Sequence, residues 1–187
     1  MLVLLRPFSF LAIRHPSRLP IWVNWVLPLV ATGVFLCTFQ RLGVGVNMFG
    51  TQGLLDRLLA FVQTLAGFYI AALAAVSSFN SPHLDREMPA PAPTMCIMYN
   101  GGMQRVALTR RRFLTSMFAY LTSLSFLFSL VAIVTLVLAP VLKQSFPDAI
   151  RVLHWFGSGV FFMALFQMTC VTFWGLFYLG ERMITPD

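Results

Sequence analysis

Four apolar runs, separated by short polar stretches, decide most of what this chain can become. They cover roughly Ile21 to Phe39, Leu58 to Phe79, Phe113 to Leu142 and Val152 to Tyr178. About 20 consecutive apolar residues suffice for a helix to cross a hydrocarbon core ~30 Å thick. The composition agrees, at 58% hydrophobic, mean hydropathy +0.80 and only 10% charged over 187 residues. The watery segments are too short to bury a core of their own. The expectation is an all-α membrane protein, a single domain of four transmembrane helices over residues 1–187. A small β-hairpin is expected in the cytoplasmic loop between helices 2 and 3.

The formal net charge of +7 has the sign of a nucleic-acid binder. The distribution of the cations fits a membrane topology signal better. Arg6, Arg14, Arg18, Arg86, Arg105, Arg110, Arg111, Arg112 and Arg182 fall on one side of the four runs. Arg41, Arg57, Lys143 and Arg151 fall on the other. Nine against four puts both termini and the loop at 80–112 in the cytoplasm. No direct nucleic-acid binding is expected. Cys37, Cys96 and Cys170 have no paired spacing, so neither a disulfide framework nor a zinc site is indicated.

The first eighteen residues do not read as a signal peptide, because Arg6 follows the first apolar cluster and no small-residue cleavage site follows. They fit equally a segment lying in the membrane interface and a frayed tail. Trp22 and Trp25 suit an aromatic belt at the start of the first span, and Pro28 is placed to kink it. In the second span Gly67, Ala71 and Ala75 recur every four residues, with Ala74 and Ser78 as a second small row. Such rows let helix backbones approach closely in lipid, so this is the expected oligomer seam. Gln167, in the middle of the fourth run, needs a hydrogen-bond partner and is assigned to the same seam; a homotetramer is the expected assembly. The third run would measure about 45 Å as a helix, so it either tilts or projects into the cytoplasm carrying the hairpin. Thr115, Thr122 and Ser129 share one of its faces, where hydroxyls can bond the preceding turn or line a pore; local bonding is favoured.

The loop at 80–112 is the most informative polar stretch. Pro89, Pro91 and Pro93 alternate and call for an extended lead-in. Asn100-Gly101 sits between two short runs rich in bulky residues, the pattern of a two-residue hairpin turn, so a hairpin is expected over 94–109. Thr109 can cap the following helix by accepting an N–H of its first turn. Arg110-Arg111-Arg112 then serves as topology signal, lipid anchor or docking site for an acidic partner. The expected partner-binding residues are Tyr99, Asn100, Gly101, Gly102, Arg105, Arg110, Arg111 and Arg112.

Chemistry is hard to place. His154 and Ser158 share a helical face and Gly157-Ser158-Gly159 looks like a nucleophile turn, but Phe156 stands where a further glycine belongs. No carboxylate nearby in sequence orients the histidine. No span carries a carboxylate well inside lipid, which argues against ion-coupled transport. No enzyme, cofactor or metal is expected.

The layout resembles the KwaA family, the membrane subunit of the Kiwa anti-phage defence system. The resemblance rests on four spans, cytoplasmic ends, a hairpin-like middle loop and the Thr109-Arg110-Arg111-Arg112-Phe113 junction. It implies a homo-oligomer of the bacterial inner membrane, a cytosolic DNA-binding effector of the KwaB type as partner, and a part in detecting infection. The leading functional expectation is therefore a non-enzymatic sensor or scaffold; the alternative is an oligomeric pore, holin-like or a defence effector.

Overall fold

The structure is a computed structural model that describes residues 3–13, 15, 18–42, 47–49, 52–88, 92–99, 102–145 and 150–182. Four helices are long and apolar enough to cross a membrane: Leu19–Arg41, Leu54–Ser78, Arg110–Ser145 and Val152–Gly180. Each begins earlier in sequence than the apolar run inside it or at the same residue. Hydropathy marks the stretch that lipid tolerates, whereas the helical backbone runs on through polar ends such as Asp56-Arg57 and Arg110–Arg112. Between the second and third spans lie a short helix, Pro82–Asp85, and two antiparallel strands, β1 (Thr94–Tyr99) and β2 (Gly102–Ala107).

The first span packs on the fourth, the fourth on the third, and the third on the second. The first and second spans, neighbours in sequence, make no extensive contact with each other among the described residues. Phe35 joins the first span to the fourth through Phe162, with ring centroids 4.4 Å apart. The Tyr69 and Thr172 hydroxyls, 2.6 Å apart, tie the second span to the fourth. Leu114, Met117, Tyr120 and Leu121 recur at helical spacing on the third span and are essentially inaccessible, so this helix is the centre of the core.

Two local features follow from prolines and glycines. In the first span, residues Trp22–Val26 form a π turn in which the Leu27 N–H reaches the Trp22 carbonyl. Pro28, with no N–H to give, cannot continue the ladder behind that turn, and the helix widens just before it. On the fourth span Gly175 is buried, and the space a Cβ would take there is filled by the tip of the Met117 side chain from the third span.

The extra length of the third span lies at the end away from the strands. From Ile133 to Ser145 no residue is buried, whereas Arg110, Phe113 and Leu114 are enclosed at the other end. The strands are therefore joined to the packed end of the helix and are not carried out on a free projection.

Candidate functional site

The most elaborated part of the molecule is the end where the strands meet the spans. β1 and β2 pair from Thr94↔Ala107 to Tyr99↔Gly102, which leaves two residues to connect them. Those residues, Asn100 and Gly101, lie outside the described residues, as do the side chains of 96–105, Tyr99 and Arg105 among them. The pairing continues below the strands. The Leu108 N–H donates to the Pro93 carbonyl at 3.0 Å, the Met88 N–H to the Leu108 carbonyl at 3.1 Å, and the Arg110 N–H to the Arg86 carbonyl at 3.1 Å. Glu87 and Thr109 form the last bridge. The result is a two-stranded ribbon whose root reaches the first turn of the third span. Thr109 then caps that helix, its hydroxyl oxygen accepting the Arg112 N–H at 3.3 Å.

The three consecutive arginines have three different fates, as ~100° steps around a helix require. Arg110 is 3% exposed and sits within the packed end. Arg111 forks onto Asp85, Nε donating to Oδ1 at 2.7 Å and Nη2 to Oδ2 at 3.1 Å, while Nη1 donates to the Val76 carbonyl at 2.9 Å. One side chain thus clamps the last turn of the second span, the short helix and the start of the third span. Its guanidinium holds the Asp85 carboxyl below the usual carboxylate range. Arg112 is the exposed member of the run.

Beneath the ribbon root, the N-terminal 3-10 helix Val3–Ala12 packs onto the third span instead of fraying or lying apart. Phe10 is 3% exposed, stacked on Tyr120 at 5.3 Å and 6.0 Å from Phe113; the Phe113 ring lies 5.4 Å from Trp174. Beside this aromatic cluster is a cavity with room for about one water, lined by Asn24, His15 and Pro93 among others. Asn24 sits inside the π turn, 4% exposed, and its Oδ1 has no hydrogen-bond partner among the described residues. The N-terminal segment, the first span, the ribbon root and both later spans meet at this point. The signal for Asn24 in the sequence is a lone amide four residues before a proline in an apolar run, since Pro28 has no N–H to give the carbonyl of residue 24.

The residues assigned to an oligomer seam are dispersed. Gly67 and Ala71 face outward, Ala75 is half-buried, and Gln167 is 7% exposed inside the chain beside Tyr120. Of the expected polar stripe on the third span, Thr115 and Thr122 bond locally, Thr122 donating to the Phe118 carbonyl at 2.8 Å as buried Ser125 does to the Leu121 carbonyl, whereas no such bond is made by Ser129 among the described residues. Ser158 likewise donates to the His154 backbone carbonyl at 2.7 Å, and the His154 ring meets the Phe49 ring edge-on. Its hydroxyl proton therefore points along its own helix, which is a packing arrangement. Cys37 and Cys170 are free thiols, and among the described residues no three His, Cys, Asp or Glu side chains gather as a metal site would need.

Fold and site together define a multi-pass membrane protein of four spans with a ribbon rooted on its third helix. No family model, curated protein or solved structure matches the chain.

Proposed function

We propose that this chain is a non-enzymatic sensor or scaffold subunit of the bacterial inner membrane. It oligomerises and uses the ribbon to hold a cytosolic effector at the membrane; the resemblance to Kiwa membrane subunits makes that effector a DNA-binding protein and the setting anti-phage defence. The observation that carries the reading is the rooted ribbon. A lone two-stranded hairpin is marginal in water and leaves two open edges, which invite a further strand. Here the base is fixed by main-chain pairing down to Arg110 and by the Arg111–Asp85 fork, so an added strand would be registered against the third span. Nine of the thirteen cations lie on the ribbon side, which favours a cytoplasmic ribbon and termini. Exposed Arg112 and Arg86 supply a salt-sensitive attraction for an acidic partner.

The test is capture by the full chain extracted in mild detergent, comparing wild type with a Gly101→Val/Gly102→Val double variant. Capture of a partner in fixed ratio, lost in the variant while membrane insertion is kept, supports the reading; equal capture by both rejects the ribbon as the docking element.

A further inference from the structure

The cavity beneath the ribbon root holds an orphan acceptor in an otherwise apolar wall. Asn24 lines it, is 4% exposed, and has an Oδ1 with no hydrogen-bond partner among the described residues. Asn24 also stands inside the π turn Trp22–Val26, and such distortions of the helical ladder often mark functional positions. A buried acceptor left unpaired lowers stability, so its presence here needs a reason other than the packing of the fold.

The wall restricts what can meet that atom. Phe10, Phe113 and Trp174 come from three different segments, and their ring centroids lie 5.4 to 6.3 Å from one another. Pro93 adds apolar surface from the ribbon root, and His15 is the other polar residue of the lining. An acceptor requires a donor. A buried water makes about three hydrogen bonds, and so apolar a wall provides poorly for it. No carboxylate lines the cavity among the described residues, and buried Arg110 lies one helical turn before Phe113. An ammonium would therefore enter uncompensated at an end that already holds a cation. A hydroxyl is a neutral donor, and the carbon attached to it suits the aromatic rings. Room for about one water limits the enclosed part of the ligand to the hydroxyl and the carbon next to it.

We propose that this cavity binds a small, neutral, membrane-soluble alcohol. Its hydroxyl donates to Asn24 Oδ1 and its carbon chain lies against Phe10, Phe113 and Trp174. The Leu108 N–H donates to the Pro93 carbonyl at 3.0 Å, so the ligand also lies against a residue that pairs in the ribbon root. The site goes beyond the proposed function and does not depend on it.

The experiment uses the purified full chain alone in lipid vesicles. Trp22→Phe, Trp25→Phe and Trp155→Phe leave Trp174 as the one tryptophan, so its fluorescence reports the cavity. The probes are 2-bromoethanol, whose bromine quenches tryptophan, and 1-bromopropane, which carries a methyl in place of the hydroxyl. 2-Bromoethanol is expected to quench Trp174 saturably. Asn24→Leu should lower its quenching constant about two- to tenfold more than it lowers that of 1-bromopropane, the range for one hydrogen bond. With Asn24 intact, 1-butanol should displace the quencher, and its isomer diethyl ether, which has no O–H, should not. Quenching by 2-bromoethanol that rises without saturating, as a cavity holding water alone would give, overturns the proposal. So does an equal loss for both probes in Asn24→Leu, or equal displacement by 1-butanol and diethyl ether. No cytosolic protein is present, so failure of this site and failure of ribbon capture are distinguishable.

Discussion

Arg110, Arg111 and Arg112 are consecutive, yet one is buried, one clamps three segments and one is exposed. The sequence showed a block of charge; only the helix phase sorts it. The clamp has a pH signature. The Asp85 carboxyl is held below its unfolded value of about 3.9, first by its hydrogen bond from Arg111. Its contribution is therefore complete above about pH 4 and is lost as pH falls through the lowered folded value. Hydrogen exchange at the Met88 and Arg110 amides, corrected for intrinsic rates, should show protection falling below pH 4 in wild type and no such step in Asp85→Asn. Asn24 makes the opposite prediction. A buried acceptor left unpaired costs about 1–3 kcal/mol, and the Asn24 Oδ1 has no partner among the described residues, so Asn24→Leu should raise thermal stability by up to that range. A fall in unfolding temperature would show that the amide has a structural partner. Gln167 illustrates what the sequence could not tell: that a mid-span amide needs a partner was legible, but not that its place is inside the chain, beside Tyr120.

At the scale of elements, the hairpin was readable because its signal is local. Asn-Gly between two short strands predicts a two-residue turn, and the register from Tyr99↔Gly102 leaves just those two residues. The root was not readable, because the bridge between Glu87 and Thr109 joins residues across the whole loop and Pro89 and Pro91 read as a break in any strand. The helix cap was readable for the same reason as the turn. Thr109→Ala should cost about 1 kcal/mol by loss of the cap, seen as a lower unfolding temperature with topology unchanged. An unaltered unfolding temperature would mean that the ribbon root alone fixes the first turn. The π turn belongs with the unreadable features: Pro28 marks the place, but the missing N–H does not dictate a π turn ahead of it.

For the whole molecule, the number and class of the spans follow from the apolar runs, whereas their neighbours do not. In lipid an outward face is as apolar as a buried one, so hydropathy cannot tell the core face of the third span from Leu130 or Val137, both largely exposed. That the first and second spans make no extensive contact among the described residues is a product of tertiary packing that no local pattern reports. A scaffold and a pore also differ at this scale. The hydroxyls of Thr115 and Thr122 are engaged by the preceding turn, so induction of the chain alone should leave the membrane potential unchanged. A sustained leak that bulky replacements at Thr122 and Ser129 abolish would favour the pore. Central to the proposed function is the ribbon as a docking element fixed to the membrane. Its most direct test is cross-linking in intact host cells, followed by extraction in mild detergent and measurement of the size and composition of the complex. The expected result is a complex larger than the oligomer alone, with one cytosolic protein in fixed ratio, missing from Gly101→Val/Gly102→Val and present in Gly67→Leu. Wild-type chain recovered without a partner, or the same partner recovered equally with the turn variant, would contradict it.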